Sequence, residues 1–148
     1  MSHPSVIAVV GPTASGKSAM SMRVAKAAQA HGKTIELISM DSALVYKGMD
    51  IGTAKPSTEE MATVIHHGIN ICEPETPYSA AKFAKDAKQW IHEIYQRGNI
   101  PMIVGGTMLY WRALAHGLSD MPPASPTIRS DIEKKAAQQG WAAVHQEL

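Results

Sequence analysis

The sequence contains a single cysteine, Cys72, which excludes an intrachain disulfide and any metal site built from a cysteine cluster. Such sparing use of cysteine suits a reducing, cytoplasmic setting. An excess of either charge is also missing. The 14 basic and 13 acidic residues leave a formal net charge of +1, so bulk electrostatics do not mark a nucleic-acid binder. Long apolar runs are absent as well: the first one, Ile7 to Val10, has no basic segment ahead of it and stops at a glycine loop. Neither a signal peptide nor a membrane span is predicted. Internal repeats and low-complexity tracts are lacking, which removes solenoids and linkers from consideration. What remains is a chain of 148 residues, 45% apolar and 18% charged, about the size of one ordinary globular domain.

Strand and helix signals alternate along this chain. Ile7-Ala8-Val9-Val10, closed by Gly11-Pro12, reads as a strand buried on both faces. Ser18 to Ala30 follows with good helix formers and stops near Gly32. Ile35 to Ile38 is a second strand, and Asp41 to Pro56 a long loop too polar for the core. Glu59 to Val64 predicts a short helix and Ile69-Asn70-Ile71 a short strand. From Ser79 to Arg97 apolar residues recur at spacings of three and four, the clearest helix of the chain. Met102 to Val104 is a further buried strand, and Met108 to Ala115 a helix beyond Gly105-Gly106. The alternation predicts an α/β fold with a parallel sheet flanked by helices. After Gly117 the composition shifts to a proline-rich linker. Ser125-Pro126 then offers an N-cap with proline at the first helical position, opening a helix to about Gln139, with a helical tail beyond Gly140.

The most informative spacing is Gly11-Pro12-Thr13-Ala14-Ser15-Gly16-Lys17-Ser18, which fits G-x-x-x-x-G-K-[ST] at every fixed position. Each residue type has a physical task. Glycine lets backbone N–H groups turn inward around an oxyanion, the following helix adds its positive end, Lys17 neutralises charge, and the Ser18 hydroxyl can hold Mg²⁺. The loop does not specify its ligand: ATP is the commonest occupant, but any diphosphate satisfies the same donors.

In a parallel sheet ligands collect beyond the carboxyl ends of the strands. Two further segments therefore join the P-loop as candidates, Asp41-Ser42 after the second strand and Gly105-Gly106-Thr107 after the Met102 strand. Asp41 could accept a proton, hold the metal, or simply cap backbone N–H groups of its loop. Thr107 could serve the site or be the N-cap of its helix. His66 and His67 are adjacent and point apart on a regular element, so a metal site made of both is not expected, and a solvated or packing role is. Cys72 has no activating cation near it in sequence.

Taken together the loops resemble one family. The P-loop, the block Asp41-Ser42-Ala43-Leu44-Val45-Tyr46-Lys47-Gly48-Met49-Asp50-Ile51-Gly52-Thr53-Ala54-Lys55-Pro56 and the block Val104-Gly105-Gly106-Thr107-Met108-Leu109-Tyr110 are similar to the signature segments of the bacterial tRNA dimethylallyltransferases. The second block is the most specific, because general P-loop kinases have nothing like it. Pro126-Thr127-Ile128-Arg129 extends the similarity towards the end of the chain. The resemblance implies a P-loop NTPase-like core over residues 1–116, and the start of a helical tRNA-binding region over residues 117–148. It implies transfer of a dimethylallyl group from dimethylallyl diphosphate to N6 of an adenine next to the anticodon of tRNA. It further implies that the P-loop holds the diphosphate with Mg²⁺, that Asp41 is the general base, and that Thr107 stands at the reacting centre. Asp41, Ser42, Ala43 and Leu44 would meet the target base, with Thr107 and Arg129 also contacting the tRNA. A cytoplasmic enzyme, monomeric at full length, is the expectation.

Two departures stand out. Asn70 and Cys72 occupy positions that are usually charged in the family. The similarity also covers only the first half of the family pattern. The second half contributes further sheet strands and much of the tRNA-contacting region, so an unpaired sheet edge, exposed apolar surface and a tendency to associate are expected of this chain. Two rival readings follow from the residues alone: a small P-loop kinase of nucleotides or metabolites, with Asp41 beside the phosphate acceptor, and a fragment that binds phosphate compounds without catalysis.

Overall fold

The structure, a computed structural model, describes residues 5–118 and 125–147. Two compact units divide the chain, Met1–Leu118 and Ser119–Leu148. In the first, four parallel strands lie in the order β1-β4-β2-β3, where β1 is Ile7–Val10, β2 Ile35–Met40, β3 His66–His67 and β4 Ile100–Gly105. Helix α1 (Lys17–Ala30) covers one face. The opposite face carries α3 (Ala80–Gln96) and α4 (Met108–His116), and α2 (Thr58–Thr63) is a short helix ahead of β3.

The alternation of β2 assigns its side chains. Ile35 and Leu37 join Met22 and Ala25 of α1, with Val64 and Met102, in one apolar cluster. Ile38 and Met40 point to the other face, into a larger cluster with Phe83, Ala87, Ile94, Ile103 and Tyr110. There the Phe83 ring stacks on Tyr110 at 4.7 Å. Caps end the helices where short polar residues allow it. The Ser57 hydroxyl and Glu60 form a reciprocal capping box on α2, and the Ser79 hydroxyl accepts from Lys82 N at 3.1 Å on α3. Among the described residues no helix is long and apolar enough to cross a membrane.

The second unit contains α5 (Pro126–Gln139) and α6 (Trp141–Gln146). Ser125 caps α5 by accepting from Ile128 N, with Pro126 at the first helical position, as its sequence predicts.

Three expectations are corrected. β1 is not buried on both faces: Ile7 and Val10 are 39% and 37% exposed. Among the described residues it pairs only with β4, so the strand is an edge whose apolar side chains are incompletely covered. Ile69-Asn70-Ile71 is not a strand of the sheet. Gly68 and Asn70 both have positive φ, which interrupts extended backbone, and the short strand that pairs with Leu37 and Ile38 is His66–His67. Nor is the Asp41 to Pro56 loop wholly outside the core, since Val45 is fully buried. Its backbone is pinned to the later segment, with Ile71 N donating to Val45 O at 2.8 Å and Lys47 N to Cys72 O at 2.9 Å.

One charge lies within the sheet. The Glu36 carboxylate is fully buried. It accepts from Arg97 at 3.0 and 2.7 Å, from Asn99 Nδ2 at 2.7 Å, and meets His67 Nε2 at 2.7 Å. Burial alone would raise its pKa, but the hydrogen bonds from Arg97, Asn99 and His67 outweigh that and bring it down to about 2. A carboxylate with a lowered folded pKa contributes stability above its unfolded value of 4.5 and loses it as pH falls towards 2. The full shift corresponds to about 3 kcal/mol. Because Arg97 is itself 45% exposed and screened by water, we expect about 1–2 kcal/mol to be lost across that window. Urea midpoints measured at pH 7, 4 and 2.5 check this, and Glu36→Gln should flatten the pH dependence over the same range.

Candidate functional site

The P-loop bridges β1 and α1. Ala14 and Gly16 both take left-handed conformations, at φ 61° and 80°, and together they fold the loop back over the start of the helix. No side chain caps α1, whose N-cap is Gly16, so its first backbone donors face the loop. The Ser15 hydroxyl donates to Pro12 O at 2.8 Å, and the Lys17 ammonium donates to Pro12 O and to Ser15 Oγ. The uncapped helix start and the Lys17 ammonium thus lie at one loop, the kind of place where an anion is favoured.

Parallel pairing of β2 with β4 sets the other two loops beside it. Met40 and Gly105 are register partners at the strand ends, so Asp41 and Gly106 leave the sheet together. A Cβ on Gly105 would lie 2.1 Å from Met40 O, and one on Gly106 would lie 2.8 Å from Gly11 O. Both glycines are therefore required by close backbone approach. Beyond them Thr107 occupies the N-cap position of α4, yet its side chain does not cap that helix. Its Oγ1 instead accepts from Ser42 N at 3.2 Å, tying the third loop to the second. Asp41 does what a loop aspartate commonly does: Oδ1 accepts from Ala43 N at 2.8 Å and Leu44 N at 3.2 Å. That turn leaves Oδ2 for other work.

All three loops line one cavity of about 510 Å³. Thr13, Ala14, Lys17 and Ser18 of the P-loop form one side of it, and Asp41, Ser42, Leu44 and Thr107 also line it. Arg129 belongs to the second unit, in α5, beside Ile128, Ile132 and Glu133.

The cavity also contains residues to which sequence reasoning assigned no role. Met22, Leu37 and Ile69 give it an apolar part, and His66, Glu60 and the segment Thr53 to Pro56 complete it. The two histidines do point apart. His67 turns to Glu36 and packs against Trp90 at 5.9 Å, whereas His66 joins the cavity with its Nδ1 at 2.7 Å from Val64 O. Burial holds His66 below the ordinary imidazole range, against the opposing pull of the Val64 carbonyl and Glu60. The HH pair was visible in the sequence, but only the pairing of β3 with Leu37 determines which ring enters the cavity.

Fold and site together define a P-loop protein of the parallel α/β class, with one cavity lined by the P-loop, a carboxylate and a threonine. The IPP transferase family model matches residues 44–148. The tRNA dimethylallyltransferase of Polynucleobacter asymbioticus is 59% identical over 97% of the chain, and that of Paracidovorax citrulli 52% identical over 98%. Among solved structures, the full-length tRNA isopentenylpyrophosphate transferase of Bacillus halodurans superposes with a TM-score of 0.72 at 40% identity, covering 98% of this chain and 46% of that one. A eukaryotic dimethylallyltransferase solved while acting on tRNA gives a TM-score of 0.71 at 30% identity, covering 88% and 32%. The chain belongs to the IPP transferase family. It spans under half the length of the curated relatives it matches, 43% of the Polynucleobacter protein and 41% of the Paracidovorax one.

Proposed function

We propose that this chain supplies the diphosphate-binding and amine-activating part of an enzyme that transfers a dimethylallyl group from dimethylallyl diphosphate to N6 of an adenine next to the anticodon of tRNA. The observation that carries this reading is the convergence of the P-loop, Asp41 and Thr107 on one cavity, with Thr107 Oγ1 held by Ser42 N. An exocyclic adenine amine is a poor nucleophile, because its lone pair is shared with the ring. Attack on the allylic carbon therefore needs a base at the amine and a stabilised leaving group. As the carbon–nitrogen bond forms, the N6 proton passes to Asp41 Oδ2 and the carbon–oxygen bond breaks. The electron pair leaves with the diphosphate, where Lys17 and the loop amides take up the growing charge.

The Ser18 hydroxyl lines the same cavity, an oxygen donor that fits Mg²⁺ beside phosphate oxygens. Among the described residues no group of three His, Cys, Asp or Glu side chains could cage a metal, so Ser18 would share the ion with phosphate oxygens. Bound there, Mg²⁺ would neutralise diphosphate charge. The second unit, with Arg129 exposed on α5, would begin the helical part that grips tRNA through its phosphates. The enzyme would work in the cytoplasm on a base drawn out of its stack.

The test is a transfer assay with dimethylallyl diphosphate, Mg²⁺ and an anticodon stem-loop, read as the mass of the modified adenosine. ATP-dependent phosphoryl transfer in its place would sink the reading. Lys17→Ala should weaken inorganic pyrophosphate binding by about 10- to 100-fold, the worth of one or two charged hydrogen bonds, as read by calorimetry.

A further inference from the structure

We propose that Lys55 is a positioning residue whose buried ammonium fastens the loop from Tyr46 to Pro56 onto Asn70, and so fixes the cavity wall against which the acceptor base is seated. The second half of that statement rests on the transfer reading above; the fastening itself does not. The Lys55 side chain is only 5% exposed. Its Nζ donates to Tyr46 O at 2.9 Å, to Asp50 Oδ1 at 2.7 Å and to Asn70 Oδ1 at 2.6 Å. An ammonium has three N–H donors, and here each has an acceptor of its own. Lys55 lines the cavity itself, but with all three donors engaged by the protein it is placed to hold the wall in position.

What it holds is the far part of a loop whose near end is already pinned by the Lys47 N to Cys72 O bond and the Tyr46 bridge to Cys72. Ile51, near its tip, is 98% exposed and Met49 is exposed as well, so no apolar packing anchors the far end. Ala54, immediately before Lys55, sits at φ 52°, and Asn70 at φ 53°, in the left-handed region that costs a non-glycine residue energy. Strain of this kind persists only where the surroundings impose it. Lys55 joins both strained points. On the near side Thr53, Ala54, Lys55 itself and Pro56 line the cavity, and Ile69 lines it next to Asn70. At the far end of the loop, beyond the backbone bonds that tie residues 44–47 to residues 70–72, one ammonium joins the two segments of wall.

Asn70 adds something particular to this chain. It is neutral, so among the described residues the only carboxylate on the ammonium is Asp50, whose side chain is 64% exposed. The fastening depends on hydrogen-bond geometry more than on paired charge. Methionine at position 55 would keep the length and lose every donor. Arginine would keep the charge, but its planar fork does not converge three donors from one atom.

Three readouts test the proposal on Lys55→Met and Lys55→Arg. Amide hydrogen exchange should rise at least tenfold in residues 46–56 and 69–72 of Lys55→Met, with the α1 amides unchanged. Inorganic pyrophosphate affinity should stay within twofold of wild type. In the transfer assay KM for the RNA should rise tenfold or more, with KM for dimethylallyl diphosphate unchanged and Lys55→Arg intermediate. Unchanged exchange would overturn the fastening, and a loss of pyrophosphate affinity matching that of Lys17→Ala would make Lys55 a phosphate ligand instead. Altered exchange with an unchanged RNA KM would remove the seating role. ATP-dependent phosphoryl transfer by the wild-type protein would sink the function proposed above, while exchange and pyrophosphate binding still decide the fastening. Should Lys55→Met fail to fold, Asp50→Ala removes one acceptor from an exposed site: faster exchange confined to the loop supports the proposal, and none overturns it.

Discussion

Asp41→Asn lowers the transfer rate at saturating substrates by about 10²- to 10⁴-fold, the usual worth of a positioned general base, and leaves inorganic pyrophosphate affinity within about twofold. Asparagine is the informative replacement because Asp41 has two tasks. Its Oδ1 closes the turn onto Ala43 N and Leu44 N. An amide oxygen can still accept those bonds, so the turn survives while the proton acceptor disappears. Asp41→Ala removes both. It should show the same chemical loss and also a loosened 41–44 segment, visible as faster exchange of the Ala43 and Leu44 amides. Single-turnover transfer rates for the two variants, set beside pyrophosphate calorimetry, separate the roles. If Asp41→Asn turns over like wild type, Asp41 is a turn cap and the base lies elsewhere.

Gly105→Ala is expected to destabilise the first unit by about 3 kcal/mol or more, the upper range for forcing one methyl group into a filled space. The new carbon would sit 2.1 Å from Met40 O and 2.6 Å from the Met40 carbonyl carbon. Those are backbone atoms of the neighbouring strand, so no rotamer change relieves the clash. β2 and β4 would have to separate at the ends that carry Asp41 and Thr107. Loss of pyrophosphate binding should therefore accompany the fall in urea midpoint. Gly106→Ala, whose new carbon would press on Gly11 O at 2.8 Å, should cost less stability while still disturbing the P-loop. A Gly105→Ala protein with a wild-type midpoint would show that the strands have slack.

Local signals carried much of this architecture. The P-loop follows from fixed positions within eight residues, α3 from its apolar spacing, and α5 from Ser125-Pro126. Each of those is decided within a few turns of chain. The features that sequence missed are decided at long range. An apolar run such as Ile7 to Val10 shows what a strand is able to bury, and cannot show which neighbours arrive to cover it. His66–His67 gave no strand signal, because its place is set by pairing with Leu37 and Ile38 and not by apolar content. Glu36, a lone acid inside Ile35-Glu36-Leu37-Ile38, was an anomaly open to notice, but its partners Arg97 and Asn99 lie far along the chain. For Asp41 and Thr107 the residues composing the site were legible. Their mutual arrangement, through Ser42 N, was not.

The strand order also has a temporal meaning. The P-loop leaves the ribosome well before β4 does. Yet β1, on which it rests, pairs among the described residues only with β4, roughly a hundred residues later, with Ile7 opposite Met102 and Val10 opposite Gly105. Closing so distant a contact is slow compared with forming a local hairpin or helix. During synthesis the P-loop therefore exists first as an unsupported glycine-rich segment. Its support by the sheet is complete only when β4 has emerged and docked between β1 and β2.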